Sequence, residues 1–130
     1  MKKIFSAFVL LTLCGIFDFC SAYDYDSDPD YVYIGAGNGG AWYFQKSSLD
    51  VQEYNPPHYQ IAGTFVHYSQ STSRIYIEKR YNWYTKETFT KNSYGYWTKD
   101  DFSARNMISA QGKHFANILF YSAYGMNFYN

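Results

Sequence analysis

Apolar and polar side chains alternate along residues 74–84, and this alternation is the sequence feature that most restricts the fold class. Four apolar side chains fall on one side of this segment and four polar or amphipathic ones on the other: Ile75, Ile77, Tyr81 and Trp83 against Arg74, Tyr76, Glu78 and Arg80. Residues 59–68 also alternate. Because successive side chains of a β-strand point to opposite faces, this pattern predicts an antiparallel sheet with one dry face and one wet face.

Further strands are predicted on both sides of this alternating region. Residues 31–35 and 41–45 flank a glycine-rich turn, and residues 49–54 form a short strand that ends before Pro56. Short strands beyond residue 87, separated by turn residues, complete the series. The sequence therefore predicts four to six strands.

One helix is predicted after the strands, over residues 112–124. Its buried stripe has the spacing i, i+3, i+4, i+7, carried by Phe115, Ile118, Leu119 and Ser122. Gly125 is placed to end it, because glycine adopts the left-handed conformation that closes a helix. Strands followed by one helix predict an α+β domain, an antiparallel β-sheet of four to six strands with one C-terminal helix packed on it.

The first 22 residues predict a cleavable secretory signal peptide. Lys2 and Lys3 provide the positive start, residues 4–17 form an apolar run, and small residues occupy positions 20–22. The run is shorter than the roughly 20 apolar residues of a membrane span. We therefore expect an exported protein, in the periplasm, at the cell surface or secreted, without a stable membrane span after cleavage; an uncleaved anchor is the alternative.

Removal of residues 1–22 would take both cysteines, Cys14 and Cys20, out of the mature chain. Disulfides, thiol catalysis and thiolate metal sites are then excluded from the remainder. We expect residues 23–30, which alternate aspartate with other residues, to form a flexible acidic leader, and residues 31–130 to form a single α+β domain. The formal net charge of +0 gives no argument for a nucleic-acid partner.

Two motifs that suggest ligand sites have simpler explanations. Residues 35–40 match GxGxxG, but aromatic, strand-like residues follow where a dinucleotide site needs a helix, so we predict a hairpin turn. The alternating aspartates of residues 24–30 resemble the start of a calcium loop. However, Pro29 and Gly35 stand where an EF-hand needs glycine and glutamate.

No catalytic, cofactor-binding or metal-binding residue is predicted. His58, His67 and His114 have no partner at ligand spacing. No serine lies in a nucleophile-elbow motif such as GxSxG, so the sequence does not predict a serine hydrolase. The spacing of the aspartates and glutamates does not identify a catalytic pair for glycoside hydrolysis. We therefore expect the protein not to be an enzyme.

The aromatic content is the remaining functional signal. The chain has 16 tyrosines and 3 tryptophans, more rings than a domain of this size can hide completely. The candidate protein-binding residues are Arg74, Tyr76 and Arg80 on the wet face, with neighbouring tyrosines. Trp42, Trp83 and Trp97 are further candidate partner-binding residues, as a platform for a sugar or for a protein partner, since aromatic rings give large contact area at low entropic cost.

Several segments resemble the surface-adhesin protein E family of small exported bacterial proteins. They are YVYIG, WYFQKSSLDV, YNWYTKETFT and, in the tail, FYSAYGMNFY. The resemblance implies an antiparallel sheet with a helix and binding of host extracellular-matrix proteins.

The hypothesis from sequence is an exported, non-enzymatic binding protein, similar to surface-adhesin E, that engages a protein partner through exposed aromatics. A carbohydrate-binding module and a periplasmic or envelope accessory domain remain the alternatives. The expected partner is a protein or a glycan, with no cofactor.

Overall fold

Six β-strands are followed by one α-helix in the computed structural model, which describes residues 23–37, 39–103 and 107–130, the side chains of 107–111 excepted. The strands are β1 (Tyr31–Gly37), β2 (Gly40–Asn55), β3 (His58–Tyr68), β4 (Thr72–Asn82), β5 (Glu87–Lys91) and β6 (Trp97–Lys99), and the helix is α1 (Met107–Tyr124). The predicted signal peptide, residues 1–22, lies outside the described residues.

The strands form one antiparallel sheet in the order β1-β2-β3-β4-β5-β6, so each strand pairs with its neighbours in sequence. The helix packs on one face of this sheet. The predicted α+β architecture is therefore confirmed. The glycine-rich segment lies in the β1–β2 hairpin, where Gly37 pairs with Gly40 and Gly39 has a positive φ of 76°.

β2 is one long strand, whereas the sequence predicted two short ones. Its register against β3 shifts between Gln45 and Asp50, so residues 46–49 bulge opposite Gly63. The Ser48 hydroxyl holds the bulge together, because it donates to the Gln45 carbonyl at 2.6 Å and accepts the Thr64 amide at 2.7 Å. The polar residues that suggested a break in the strand therefore form a bulge within it.

The helix begins at Met107, five residues before the predicted start at residue 112. Its end agrees with the prediction, since Gly125 has a φ of 74° and its amide donates to the Tyr121 carbonyl at 2.7 Å. Part of the predicted loop over residues 99–106, namely residues 104–106, lies outside the described residues.

The core lies between α1 and the face of the sheet that it covers, here called the inner face. Strand residues Phe44 and Phe65 meet Leu119 and other apolar residues of the helix there. The approach is close at Gly63, where an added Cβ would lie 2.6 Å from the Phe44 ring and 2.9 Å from Leu119. The opposite face of the sheet is called the outer face below.

Residues 23–30 lie against the outer face instead of forming the flexible leader predicted from their acidity. Tyr25 is buried with Tyr43 and Val66. The Tyr43 hydroxyl donates to Asp26 at 3.0 Å, and Asp30 accepts the Ser47 amide at 2.8 Å. Burial of the Tyr25 ring gives this acidic segment an apolar anchor that the alternation of aspartates obscured.

Candidate binding surface on the outer face

The predicted wet face of β4 forms the centre of the outer face. Arg74, Tyr76, Glu78 and Arg80 occupy alternate positions of the strand, opposite in direction to the buried Tyr81. Tyr76 is 56% exposed. The sequence therefore placed these four residues on one surface, and the structure brings them together with residues from β2, β3 and β6.

A hydrogen-bonded network joins β4 to the two strands before it. The register shift between Val51 and Glu53 leaves Gln52 unpaired with β3, and its side chain reaches across the outer face. The Gln52 amide donates to Glu78 at 3.1 Å and accepts a bond from Gln60 at 2.5 Å. These contacts fix the polar side chains beside Tyr76, which reduces the entropy that a partner must remove on binding.

Trp97 joins the surface from β6. The Arg80 guanidinium carbon lies 4.0 Å from the centroid of the Trp97 ring, and its Nε donates to Gln60 at 3.1 Å. Lys91 on β5 contributes a further charge, 3.5 Å from the Glu78 carboxylate. Arginine on an aromatic ring is a stable arrangement that still leaves N–H groups able to meet a ligand.

Arg74 lies at the other end of the surface. Its guanidinium donates to the Tyr31 hydroxyl at 3.0 Å and to Gln45 at 3.2 Å. The hydrogen bond to Tyr31 raises the pKa of Arg74, with burial opposing it, so this side chain is a permanent cation.

The Tyr76 hydroxyl is held in its neutral form. Burial, followed by the nearby carboxylates of Glu78 and Asp50, raises the pKa of Tyr76 above its ordinary value. A neutral phenol both donates and accepts hydrogen bonds. Tyr76 can therefore form apolar contacts with a partner through its ring and hydrogen bonds through its hydroxyl.

The other two tryptophans lie on the inner face, away from Trp97. Trp42 is 7% exposed, and its ring lies 4.6 Å from that of His67. Trp83 stacks on Phe120 with ring centroids 5.5 Å apart, and the Lys86 ammonium lies 3.0 Å from the Trp83 centroid. Trp42 is therefore buried, whereas Trp83 is partly buried and carries Lys86 on its ring.

A buried polar cluster on the inner face was missed by the sequence analysis. Lys79, only 3% exposed, donates to Asp100 at 2.8 Å and to Thr90 at 2.7 Å. Asp100 also accepts the hydroxyl of Thr88 at 2.8 Å. Burial lowers the pKa of Lys79, and Asp100 opposes this effect. The available signal was a lysine between Ile77 and Tyr81 in the apolar alternation.

The histidines do not converge. His67 Nε2 lies 3.0 Å from the Gly37 carbonyl oxygen, whereas His58 is exposed at the start of the same strand and His114 is exposed on α1. In the part of the chain that the structure describes, no group of three His, Cys, Asp or Glu residues could hold a metal ion. No helix within the same residues has the length and apolar character to span a membrane.

The geometry defines a small α+β domain whose sheet has one face covered by a helix and one face that carries tyrosine, arginine and glutamine side chains together with Trp97. Comparisons of the chain with protein-family models, curated proteins and solved structures found no match. The resemblance to the surface-adhesin E family therefore remains an expectation from the sequence.

Proposed function

We propose that this protein is an exported, non-enzymatic binding protein that engages a protein partner through the outer face of β4. The observation that carries the proposal is the exposed Tyr76 ring, flanked by the Arg80–Trp97 pair and by the Gln52 network. Tyrosine, tryptophan and arginine dominate the energetics of protein interfaces. Their prior organisation lowers the cost of ordering side chains in a complex.

The charge pattern on this surface favours a partner of mixed polarity. Arg74 and Arg80 lie six positions apart on β4, a separation of about 20 Å along an extended strand. Glu78 lies between them and is paired with Lys91. A complementary partner would place carboxylates opposite the two arginines and apolar contacts opposite Tyr76 and Trp97.

The class of partner follows from the resemblance described above. Surface-adhesin E-like proteins bind host extracellular-matrix proteins, so this is the first partner class to test. A bacterial envelope protein is the alternative, and it requires the same surface. Cross-linking in native cells, compared with binding to immobilised matrix proteins, separates the two.

The surface assignment is tested with a double variant, Tyr76→Ala with Arg80→Ala. Loss of two central contacts should weaken binding to the identified partner by roughly 30-fold or more, the effect of removing an interface hot spot. The matched control is Tyr94→Ala with Lys113→Ala, which removes an exposed tyrosine and an exposed cation away from β4. Equal affinity of the β4 variant and the wild type would refute the assignment.

A carbohydrate-binding module is the second candidate, and it depends on Trp97. This ring lies on the outer face next to an arginine whose N–H groups could bind sugar hydroxyls. Glycan-array binding that shifts tryptophan fluorescence and is lost in Trp97→Ala would favour it. The absence of binding to any glycan on a broad array would eliminate the carbohydrate-binding function.

A further inference from the structure

The sheet has an unpaired edge along the second half of β2. The β1–β2 ladder ends where Tyr31 pairs with Gln45, whereas β2 continues to Asn55 with β3 on its other side. The amides of Lys46 and Ser47 bond to Asp30. Among the described residues, no strand pairs with residues 48–55 on the β1 side. Such an edge presents backbone groups that can accept another strand.

An apolar cavity of about 480 Å³ lies between this edge and the helix. Its lining comes from β1, β2 and α1: Val32, Lys46, Leu49, Ile118, Tyr121 and Ser122. Val51 (44% exposed) and Tyr121 (56% exposed) continue the apolar surface beside it. The cavity falls within the range of volumes typical of ligand sites, and it lies beside the position where the β1 ladder stops.

Two carboxylates mark the outer side of the same edge. Asp50 pairs with Ala62 and Glu53 pairs with Gln60, so both point to the outer face. Neither forms an ion pair with another described residue. The edge is therefore mainly apolar towards α1, where Lys46 adds a positive charge to the lining, and acidic on the opposite side.

We propose that this groove binds an extended segment of a partner protein by strand addition next to residues 48–55. The segment would carry apolar side chains on the side facing α1, with one of them in the cavity, and basic side chains on the side facing Asp50 and Glu53. Alternate residues of a strand point to opposite faces, so a single sequence with a period of two satisfies both requirements. The edge spans about 25 Å, enough for seven or eight residues.

Charge selects a basic segment over a second copy of this chain. Two copies paired edge to edge and antiparallel would bring Asp50 and Glu53 of one copy close to the same residues of the other, on one face. Like charges opposite each other destabilise a strand pair, whereas lysine or arginine opposite these carboxylates stabilises it. The groove shares Gln52 with the β4 surface, but its apolar lining and its two carboxylates lie outside that surface, so this site adds to the proposed function and does not depend on it.

The test uses the purified full chain and three end-blocked heptapeptides as probes. The first alternates lysine with valine, the second alternates glutamate with valine, and the third has the composition of the first in two blocks, lysines then valines. Because opposite charges across a strand pair attract and like charges repel, the alternating lysine peptide should bind about tenfold or more tighter than the other two. Amide chemical shifts should change along residues 48–55 and at Tyr121.

Charge reversal at the edge gives the decisive variant. Asp50→Lys with Glu53→Lys should invert the preference, so that the alternating glutamate peptide binds more tightly than the lysine peptide. The control, Asp24→Lys with Asp101→Lys, changes the net charge equally at exposed carboxylates elsewhere and should keep the original preference. Tyr121→Ala should weaken the binding of both alternating peptides, the lysine one and the glutamate one. Tyr76→Ala with Arg80→Ala should leave the affinities for these peptides unchanged.

Three results would overturn this proposal. They are no binding of any probe at millimolar concentration, the same preference in wild type and the edge-reversal variant, and a wild-type dimer whose interface lies along residues 48–55. The last result would assign the groove to a second copy. Binding of the β4 variant to the protein partner is measured in a separate experiment. The strand-addition proposal and the proposed function can therefore be refuted independently.

Discussion

The two faces of the sheet use the same residue types for different purposes. On the inner face, Tyr81 is buried and donates its hydroxyl to the Ala116 carbonyl at 2.7 Å. On the outer face, Tyr76 is exposed within a network of glutamines and charges. The contrast extends to ion pairs, since Lys79–Asp100 is largely buried and Lys91–Glu78 is partly exposed. The aromatic excess therefore divides into rings that stabilise the fold, among them Tyr25 and Tyr43 at one end of the outer face, and exposed rings available for binding.

The largest effect expected from this division is alkaline unfolding. Burial raises the pKa of Tyr81 well above its ordinary value of 10.0, and burial also raises the pKa values of Tyr59, Tyr124 and Tyr129. A raised folded-state pKa means that the stabilisation is complete below pH 10 and is lost as the pH rises further. Lys79 acts oppositely, because its lowered pKa makes stability rise with pH up to about 10.5.

Circular dichroism and tyrosinate absorbance, followed together against pH, test this expectation. Part of the absorbance increase should coincide with loss of the β-sheet signal above pH 10, because the fully buried phenol of Tyr81 ionises only as the fold opens. A sheet signal that persists after all 16 tyrosines have ionised would contradict the assignment of the inner face as the stabilising one.

Asp100→Ala should have the next largest effect. It leaves the Lys79 ammonium buried with Thr90 as its remaining side-chain partner, and an uncompensated buried charge costs about 3–5 kcal/mol in the free energy of unfolding. The control is Glu87→Ala, which removes an exposed partner of Lys99 and should cost about 0–1 kcal/mol. Urea denaturation measures both, and equal costs would show that burial does not distinguish the two pairs.

Gly63→Ala tests the close contact between the inner face and α1. The added methyl group would meet the Phe44 ring and Leu119, and overpacking of this kind costs about 1–3 kcal/mol. Gly35→Ala is the matched control, because its added Cβ has no atom within 4 Å. Thermal unfolding should separate the two variants, and a Gly63→Ala protein as stable as the control would indicate that the helix is free to shift.

Sequence patterns were sufficient for the architecture because the strongest of them is local. The alternation in residues 74–84 and the spacing around Phe115 each identify an element and its buried face. The β4 surface follows from the same alternation. Trp97 could also be proposed as a binding residue, but its contact with Arg80 depends on the pairing of β5 with β6, which residue spacing does not reveal.

Features created by contacts between distant segments were not accessible in this way. The bulge in β2 depends on Ser48 meeting Thr64, and the burial of Tyr25 depends on Tyr43 across the outer face. The Lys79 position broke the apolar alternation, yet its partner Asp100 lies 21 residues away in a segment without periodicity. The free edge of β2 likewise follows only from the point at which β1 ends.

The smallest effect on stability is expected at the β4 surface itself. Tyr76→Ala exposes little that was buried and removes a single 3.4 Å hydrogen bond, so its free energy of unfolding should stay within about 0.5 kcal/mol of the wild type. If the faces are divided as described, the same substitution should still weaken partner binding strongly, because an interface contact matters only in the complex. Chemical denaturation and binding measured on one preparation make the comparison. A Tyr76→Ala protein that loses stability and affinity together would place this ring among the residues that hold the fold.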